Sequence, residues 1–284
     1  MTDFNMIWAC PVCNLALTAD EAGFSCENKH RYDKARQGYV NLLLANQKNS
    51  REPGDDASMI DARRSFLQAG HYDFLIDDLN ELILRKKPIG RPQNLLDLGC
   101  GEGYYLSQLM QSLNRASSND PKDNWQALGL DISKYAIKRA APHLKAASFA
   151  VASSHHIPVV SHALDVVMCV FAPLSVAEIK RVLVPGGALV RVTPGAKHLY
   201  QLKEQLYAKA SMHSAPKMLD GMTVVEERSS IREVVLNTES QLPQLLAMTP
   251  FNWAGSQQAK QQIMVQTECP MTFEFNIQVL RSDE

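Results

Sequence analysis

The feature that most limits the fold of this chain is a glycine-rich turn between an apolar run and an amphipathic run. In the sequence NLLDLGCGEGYY, Gly99, Gly101 and Gly103 directly follow a short, mostly apolar run over residues 94–98. Glycines let a backbone approach a ligand closely, and the first turn of a helix presents free N–H groups. The pattern therefore predicts a strand, a ligand-binding turn and a helix in that order.

The rest of the chain repeats this alternation of strand and helix. Further apolar runs predict strands at 125–130, 148–152, 163–170 and 188–192, with helical patterns between them. Such alternation is typical of an α/β fold with a parallel sheet covered by helices. Near the C-terminus, TFEFNIQVL alternates with period two, which predicts a strand on the edge of the sheet. We expect an α/β domain over residues 51–284, after a small module over residues 1–50.

Acidic residues beside the turn indicate which ligand it binds. The spacing is G-x-G-x-G, which differs from the G-x-G-x-x-G of dinucleotide-binding turns. Asp97 and Glu102 flank the turn and would repel a pyrophosphate, whereas they would attract the sulfonium and ammonium groups of S-adenosylmethionine. Asp131 ends the next predicted strand, where its two oxygens can accept both ribose hydroxyls. A core role for Asp131 is unfavourable because a buried unpaired carboxylate is costly.

The segment after the third predicted strand, VASSHHIP, is placed to meet the adenine ring. Ser153, Ser154 and His155 can offer hydroxyl and backbone N–H groups to the edge of the ring. For His155 and His156 the alternative is that both are solvated loop histidines.

Three cysteines and a histidine cluster near the N-terminus. Cys10 and Cys13 form a C-x2-C pair, Cys26 follows after twelve intervening residues, and His30 lies beyond three more. Zinc takes four such ligands tetrahedrally, and a closed shell leaves no position for a substrate, so the predicted role is structural. A redox C-x-x-C and chance clustering are the alternatives. A redox motif belongs inside a βαβ unit, and the other three cysteines are scattered singly.

A basic stretch follows the zinc motif, although the net charge of −1 does not favour bulk attraction to nucleic acid. Between residues 29 and 51 there is a single acid, Asp33, and six cations. The predicted RNA-binding residues are Lys29, Arg31, Lys34, Arg36, Lys48 and Arg51. The alternative is a solvated basic face of no special function.

Composition bears on the cellular location. Hydrophobic residues make up 45% of the chain, but no run approaches the roughly eighteen apolar residues that a membrane helix needs. The first ten residues lack the basic and apolar regions of a secretory signal. We therefore expect a cytoplasmic protein with no membrane partner, in which clustered cysteines hold metal more often than they form disulfides.

Taken together, the glycine turn, Asp131 and the PGG before the fifth predicted strand resemble class I S-adenosylmethionine-dependent methyltransferases. This resemblance implies a Rossmann-like, mostly parallel, seven-stranded sheet preceded by a zinc-ribbon-like module. A narrower similarity covers nearly the whole chain, in the motifs CPVC, RYDKARQGYVNLL, PGDDASMIDARRSFLQAGHY, TPGAKHLYQLK and MTPFNW. These motifs are similar to those of the 23S rRNA (guanine-N1)-methyltransferase family, and closer to its guanine-745 type than to its guanine-748 type.

The family resemblance implies a reaction and a set of site residues. It implies methyl transfer from S-adenosylmethionine to N1 of a guanine in a hairpin loop of domain II of 23S rRNA, and it is compatible with a homodimer. It assigns zinc to the three cysteines and His30, and adds Tyr72, Gly101, Glu102 and His198 as cofactor contacts. From the pattern alone, Tyr72 is a helix-face aromatic and His198 a cation at a helix N-terminus. The acid that usually follows strand three in the broader class I superfamily is replaced here by Ser153 and Ser154.

The sequence leaves two alternative functions open and does not identify the general base. The alternatives are a small-molecule S-adenosylmethionine-dependent methyltransferase and a non-catalytic zinc-dependent RNA-binding protein. Guanine N1 carries a proton at neutral pH, so the transfer needs that proton removed or the N1 anion stabilised, and the sequence singles out no residue as the general base. Four aromatic residues are candidates for stacking on the target base, each with a core role as the alternative: Tyr32, Tyr39, Phe171 and Trp253.

Overall fold

Strands and helices alternate along most of the chain, as the apolar runs predict. The structure is a computed structural model that describes residues 7–48, 50, 53–85, 92–116, 124–237 and 239–283. The strands are β1 (Thr18–Ala19), β2 (Gly23–Ser25), β3 (Arg31–Asp33), β4 (Val40–Asn41), β5 (Gln93–Leu98), β6 (Trp125–Asp131), β7 (Ala147–Val151), β8 (Leu164–Val170), β9 (Leu183–Pro194), β10 (Met222–Asn237) and β11 (Glu268–Ser282). The α-helices are α1 (Ala57–Gln68), α2 (Asp73–Leu84), α3 (Tyr104–Ala116), α4 (Lys134–His143), α5 (Val176–Val182), α6 (Tyr200–Leu206), α7 (Gln241–Ala247) and α8 (Gln257–Met264).

The main sheet has eight strands in the order β10-β11-β9-β8-β5-β6-β7-β4. Strands β5 to β9 pair in parallel, and β11 is antiparallel to both of its neighbours. The chain reverses direction across the sheet between β5 and β8, and ligands of open α/β sheets bind at the carboxyl ends of the strands at such a point. The glycine turn follows β5, so it lies at this position.

The seven predicted strands of the methyltransferase fold are present as β5 to β11. The eighth, β4, comes from the N-terminal segment and pairs in parallel with the outer edge of β7. The prediction that the C-terminal strand lies on the edge of the sheet is wrong, because β11 lies between β9 and β10. The edge is β10, whose side chains alternate between exposed and half-buried over most of its length. Charged residues along such a strand discourage pairing with another chain.

Both faces of the sheet are buried, and different parts of the chain cover them. On one face, side chains such as Phe149 and Val190 pack against α1 to α4 and α6 to α8. On the other face, Leu96 and Leu128 pack against α5 and against the N-terminal residues that include Trp8. Parallel sheets require cover on both faces, and α5 is only seven residues long. The N-terminal segment therefore completes the second face.

Backbone and side-chain bonds fix the N-terminal segment to this face. The backbone N–H of Ala9 donates to the carbonyl of Pro158 at 2.8 Å, and that of Val160 donates to the carbonyl of Ile7 at 3.0 Å. The Trp8 side chain is fully buried, and its Nε1 donates to Ser148 Oγ at 2.7 Å. Residues 1–50 were expected as a module of their own, and these bonds attach the described part of that module to the loop after β7. Among the described residues, no helix has both the length and the apolar character needed to cross a membrane.

The burial of Trp8 gives a prediction about stability. Trp8→Ala should lower the free energy of unfolding by about 3–5 kcal/mol, because it removes a large side chain from a closed interface. Trp253→Ala is the matched control, since Trp253 is 76% exposed and its loss should change stability by less than about 0.5 kcal/mol. Urea denaturation of the full chain measures both values. Equal effects of the two substitutions would contradict the docking of the N-terminal segment on the sheet.

Candidate functional site

Two tight turns bring the predicted zinc ligands together. In the first, Asn14 adopts a left-handed conformation with φ of 60° and its N–H donates to the carbonyl of Cys10. In the second, Lys29 has φ of 64° and its N–H donates to the carbonyl of Cys26. The three sulfur atoms and a ring nitrogen of His30 all lie within 4.8 Å of one another.

The distances within this cluster match a tetrahedral metal site. The Sγ atoms of Cys13 and Cys26 are 3.7 Å apart, and His30 Nδ1 lies 3.4 Å from Cys10 Sγ and 3.5 Å from the other two sulfurs. Zinc with bonds of about 2.3 Å to sulfur and about 2.0 Å to nitrogen gives tetrahedral edges of about 3.8 Å and about 3.5 Å. All four predicted ligands therefore fit one zinc ion, and the shell is closed.

Tyr32 supports this cluster from outside it. Its hydroxyl lies 3.1 Å from Cys10 Sγ. Burial by itself would raise the pKa of Cys10, but hydrogen bonds from Tyr32 and from the backbone N–H groups of Val12 and Cys13 lower that pKa to about 6. The thiolate is the form that binds metal, so the surroundings of Cys10 favour zinc binding. None of the six cysteines forms a disulfide.

The glycine turn forms a cradle at the carboxyl ends of β5 and β6. Gly99 has φ of 77°, and a Cβ at this position would lie 2.3 Å from Ala172 Cβ, so no other residue fits without displacing the end of β8. The N–H of Gly101 donates to Asp131 Oδ2 at 2.9 Å, which ties the turn to the end of β6. The N–H of Gly103 returns to the carbonyl of Cys100 at 2.9 Å.

Three acids surround the cradle, and two of them hold buried oxygens without a partner. Within the described part of the chain, Asp97 Oδ2 and Glu102 Oε1 are buried and accept no hydrogen bond. Burial, with the nearby charge of Asp131, raises the pKa of Asp97 to about 8. Burial likewise raises the pKa of Glu102, although Arg64 and Arg63 oppose the rise. A buried carboxylate without a partner is unfavourable, so this geometry suits a ligand that carries positive charge.

Asp131 is partly engaged before any ligand binds. Its Oδ1 accepts from the N–H of Ser133 at 2.7 Å, and its Oδ2 accepts from Gly101. Each carboxylate oxygen keeps a second lone pair, so both can still accept a hydroxyl. Burial raises the pKa of Asp131, while these two backbone hydrogen bonds lower it.

Arg63 on α1 is a site residue that the sequence reasoning missed. Its Nη2 lies 2.5 Å from Asp55 Oδ2 and donates to the carbonyl of Met248 at 3.2 Å. Its Nη1 is the nearest atom to the space above Gly101, at 3.8 Å from the point where a Cβ on that glycine would lie. The motif DARRSF contains two adjacent arginines, and its sequence does not distinguish the one that faces the turn.

Tyr72 and His198 meet in an aromatic wall beside the cradle. Tyr72 precedes α2 and is fully buried, with its ring centroid 4.9 Å from those of Phe273 and Phe275. His198 is 6.3 Å from Tyr72, and its Nδ1 accepts from the N–H of Glu274 at 3.3 Å. The interpretation of Tyr72 as a helix-face aromatic is wrong, because Tyr72 precedes α2 and is buried inside this wall.

His198 is also not the cation that its place before a helix suggests. Burial lowers the pKa of His198 to about 3, with additional contributions from His213 and Lys203. The imidazole is therefore neutral. Phe171, at the end of β8, stacks on this ring at 5.9 Å and has φ of 56°, which is rare for an aromatic residue.

The predicted adenine-binding residues lie where β7 ends. Ser153 is buried and its Oγ accepts from the N–H of His155 at 3.2 Å, while Ser154 is half-buried. His155 and His156 are exposed. The assignment of Ser154 and His155 to cofactor binding stays a prediction.

Five of the six predicted RNA-binding residues are exposed on the N-terminal segment. These are Lys29, Arg31, Lys34, Arg36 and Lys48. Arg31 pairs with Asp20 at 3.0 Å, and Arg51 lies outside the described residues. Of the stacking candidates, Tyr39 is buried in the core, whereas Phe171 is 43% exposed and Trp253 is 76% exposed.

Comparisons with known proteins agree with this geometry. Residues 8–51 match the zinc-ribbon family described as "RlmA, N-terminal", and residues 91–266 match the family described as "Methyltransferase domain". Over 251 residues, 86% of this chain and 85% of the relative, the chain is 33% identical to the 23S rRNA (guanine(748)-N(1))-methyltransferase of Streptomyces fradiae. Over 89% of both chains it is 30% identical to YxjB of Bacillus subtilis, which carries the name of a 23S rRNA (guanine-N(1)-)-methyltransferase. A solved methyltransferase from Aquifex aeolicus is 15% identical, with a TM-score of 0.44 over 80% of this chain and 99% of that chain.

The sheet order, the acidic cradle and the zinc cluster define a class I S-adenosylmethionine-dependent methyltransferase with an N-terminal zinc ribbon. Its cofactors are S-adenosylmethionine and zinc. The chain belongs to the 23S rRNA (guanine-N1)-methyltransferase family.

The metal cluster gives a prediction about zinc content. Purified protein should contain about one zinc ion per chain, and Cys26→Ser should lose it and unfold with a free energy lower by at least about 2 kcal/mol. Cys269→Ser is the control, because Cys269 lies buried in β11 away from the cluster and should keep the metal. Elemental analysis after dialysis against a chelator measures the metal. Full zinc content in Cys26→Ser would contradict the assignment.

Proposed function

We propose that the protein transfers the methyl group of S-adenosylmethionine to N1 of a guanine in a hairpin loop of domain II of 23S rRNA, in the cytoplasm. One observation carries the proposal: a cradle suited to a cationic ligand and a zinc ribbon with exposed basic residues meet at the same end of one sheet. The alternatives explain less. A small-molecule methyltransferase does not need the basic ribbon, and a binding protein without catalysis does not need the buried acids.

In this proposal the chain's own groups hold the cofactor by charge. Asp131 accepts the ribose hydroxyls, and the free oxygens of Asp97 and Glu102 supply negative charge for the ammonium and sulfonium groups. Bound S-adenosylmethionine supplies an activated methyl group on sulfur. The cofactor also carries one carboxylate, and Arg63 is the cation beside Gly101 that suits it. Tyr72 and His198 close the side toward β8 and β9, and Ser154 and His155 lie toward the adenine end.

The acceptor base then enters beyond the cofactor, over the ends of β8 and β9. Guanine N1 lies on the Watson–Crick edge, so the base must be unpaired and turned out of its stack. Phe171 is half-exposed at the end of β8 and offers an aromatic surface for that base. Stacking on such a surface contributes about 1–3 kcal/mol per base.

The ribbon provides the contact with the rest of the RNA. Its strand β4 pairs with Ala150 and Val151 at the end of β7, immediately before Ser153 and Ser154. The exposed cations of the ribbon therefore lie next to the cofactor end of the sheet, where they can bind phosphates and orient the hairpin. A homodimer and the choice of guanine 745 over guanine 748 are part of the proposal, although the Streptomyces fradiae relative is named for guanine 748.

The test of the function is methyl transfer to unmodified rRNA. Incubation with radiolabelled S-adenosylmethionine and a domain II transcript should label the RNA, and N1-methylguanine should stop reverse transcription at the modified base. A stop at guanine 745 supports the finer assignment, and a stop at guanine 748 corrects it. Cofactor binding without RNA labelling, in both the transcript and unmodified large subunits, would contradict the function. Light scattering with the RNA present tests the dimer.

The role of Arg63 predicts a change in affinity that depends on the cofactor's carboxylate. Arg63→Ala should weaken binding of S-adenosylmethionine about 10- to 100-fold, because a charge-assisted hydrogen bond contributes about 1.5–3 kcal/mol. The variant and the wild type should bind decarboxylated S-adenosylmethionine with similar affinity. Titration calorimetry measures all four combinations. Arg139→Ala is the control, since Arg139 pairs with Asp61 on the exposed face of α1 and should leave both affinities unchanged. An equal loss for both ligands would assign Arg63 a structural role.

The role of the ribbon predicts a loss of RNA affinity without loss of cofactor affinity. Lys34→Glu with Arg36→Glu should weaken RNA binding and reduce its dependence on salt concentration, because two phosphate contacts are lost. The control makes the same charge change with Arg115→Glu and Arg281→Glu, which are exposed at the opposite end of the sheet. Filter binding across a salt series compares the two. Equal losses would show that only net charge matters.

A further inference from the structure

The proposed reaction requires a base for guanine N1, and the cradle acids are poorly placed to serve. Asp97, Glu102 and Asp131 lie at the ends of β5 and β6, on the cofactor. A base must instead lie toward β8 and β9, where the acceptor enters. Cys169 in β8 is not suitable, because burial raises the pKa of its thiol to about 12 and its Sγ donates to the carbonyl of Ala172.

His213 is the titratable group that the structure places on the acceptor side without an assigned role. It lies in the connection between α6 and β10, and its N–H donates to the carbonyl of Ala196, just beyond β9, at 3.0 Å. Its ring centroid is 6.2 Å from that of His198, which in turn stacks on Phe171 at the end of β8. His213 thus adjoins the aromatic wall through His198.

Three separate bonds hold this connection against the body of the protein. Besides the bond from His213 to Ala196, Arg191 of β9 donates to the carbonyl of Lys217 at 3.0 Å, and Lys203 of α6 donates to the carbonyl of Ser211 at 3.1 Å. These contacts bracket His213 on both sides along the chain. A group held in this way needs little reorganisation to act on a substrate.

The protonation state and the free ring atom of His213 suit a base. Its Nε2 is buried and, within the described part of the chain, has no hydrogen-bond partner. The backbone of His198 lies close enough to the ring to oppose a fall in its pKa. Burial and the charge of Lys203 lower the pKa of His213, while Glu274 opposes that shift. The imidazole is therefore neutral at pH 7, and its unpartnered Nε2 can carry the lone pair that accepts a proton.

The other histidines of the region lack this combination. His198 uses its Nδ1 to accept from Glu274, and its pKa of about 3 makes it a weak base. His71 also has a buried Nε2 without a partner, but its ring is packed 4.6 Å from Phe66 and 6.3 Å from Phe273 in the core. Neither combines an unpartnered ring nitrogen with a place in the connection between α6 and β10.

We propose that His213 Nε2 is the catalytic base that removes the N1 proton of the target guanine, an inference that rests on the proposed function. As the N1 lone pair forms a bond to the methyl carbon, the bond from carbon to sulfur breaks and its electron pair stays on sulfur. The N1 proton passes to Nε2. The products are N1-methylguanine, neutral S-adenosylhomocysteine and an imidazolium, so the positive charge of the sulfonium ends on His213. Glu274 stabilises that charge, and Lys203 favours release of the proton.

The experiment compares His213→Gln with the wild type in single turnovers at saturating RNA and S-adenosylmethionine. At pH 7 the variant should transfer the methyl group about 10²- to 10⁴-fold more slowly. Its rate should rise about tenfold per pH unit, because deprotonation of N1 then depends on hydroxide. Cofactor and RNA affinities should change by less than about twofold. His162→Gln is the control, because His162 lies at the amino end of β8, bonded to Leu183, and should react at the wild-type rate.

A second measurement separates a catalytic role from a structural one. An RNA whose target is a guanine analogue of lower N1 pKa carries an ionised N1 near neutral pH and needs no base. The rate deficit of His213→Gln should shrink at least tenfold with this RNA, and the wild type should lose its decline in rate at acidic pH. An unchanged deficit, or a loss of cofactor affinity, overturns the proposal. If the wild type methylates no RNA at all, the proposed function itself fails. If the variant does not fold, the wild-type pH profiles on the two RNAs still test whether the reaction needs a base for N1.

Discussion

A parallel sheet with both faces buried is the constraint on which the rest of this structure depends. Of the α-helices in the described part of the chain, seven cover one face and α5 alone covers the other, so the zinc ribbon supplies the remaining cover. The ribbon is too small to form a large apolar core of its own, so zinc fixes its two turns and Trp8 fixes it to the sheet. The same docking adds β4 beside β7. Metal binding, completion of the fold and placement of the basic residues therefore depend on one set of contacts.

The sheet in turn makes an unfavourable arrangement of charge possible. Asp97, Glu102 and Asp131 gather around one glycine turn, and burial raises the pKa of all three. An isolated turn would separate these groups or expose them to water. Here the strands on either side hold them in place, and the bond from Gly101 to Asp131 prevents the turn from opening. The ammonium and sulfonium groups of the cofactor offset this unfavourable burial of negative charge.

The parts that sequence predicts well are those set by local pattern. Strands β5 to β8 are largely apolar because they are buried on both faces, and the zinc ligands follow a fixed spacing. The pattern failed at the edge of the sheet, because the sequence of β10 is rich in charged residues and has no regular apolar alternation. It therefore predicts no strand there and places β11 at the edge. Only the resemblance indicated Tyr72 and His198, because their wall combines residues from distant segments. His213 lies in a connection without periodicity, so only its neighbours in space indicate a role.

The two sides of the site differ in charge in a way that fits the direction of the reaction. The cofactor side holds acids with free oxygens, whereas the acceptor side holds neutral imidazoles at His198 and His213, and the carboxylate of Glu274 beside them accepts from the N–H of Lys197. A carboxylate with free oxygens on the acceptor side would attract the sulfonium and compete with Asp97 and Glu102 for the cofactor. A neutral imidazole does not attract the cofactor before reaction. It becomes charged only as the sulfonium loses its charge, so the base gains its proton without a second positive charge in the pocket. The placement of acids at one end and histidines at the other thus keeps binding and proton removal from opposing each other.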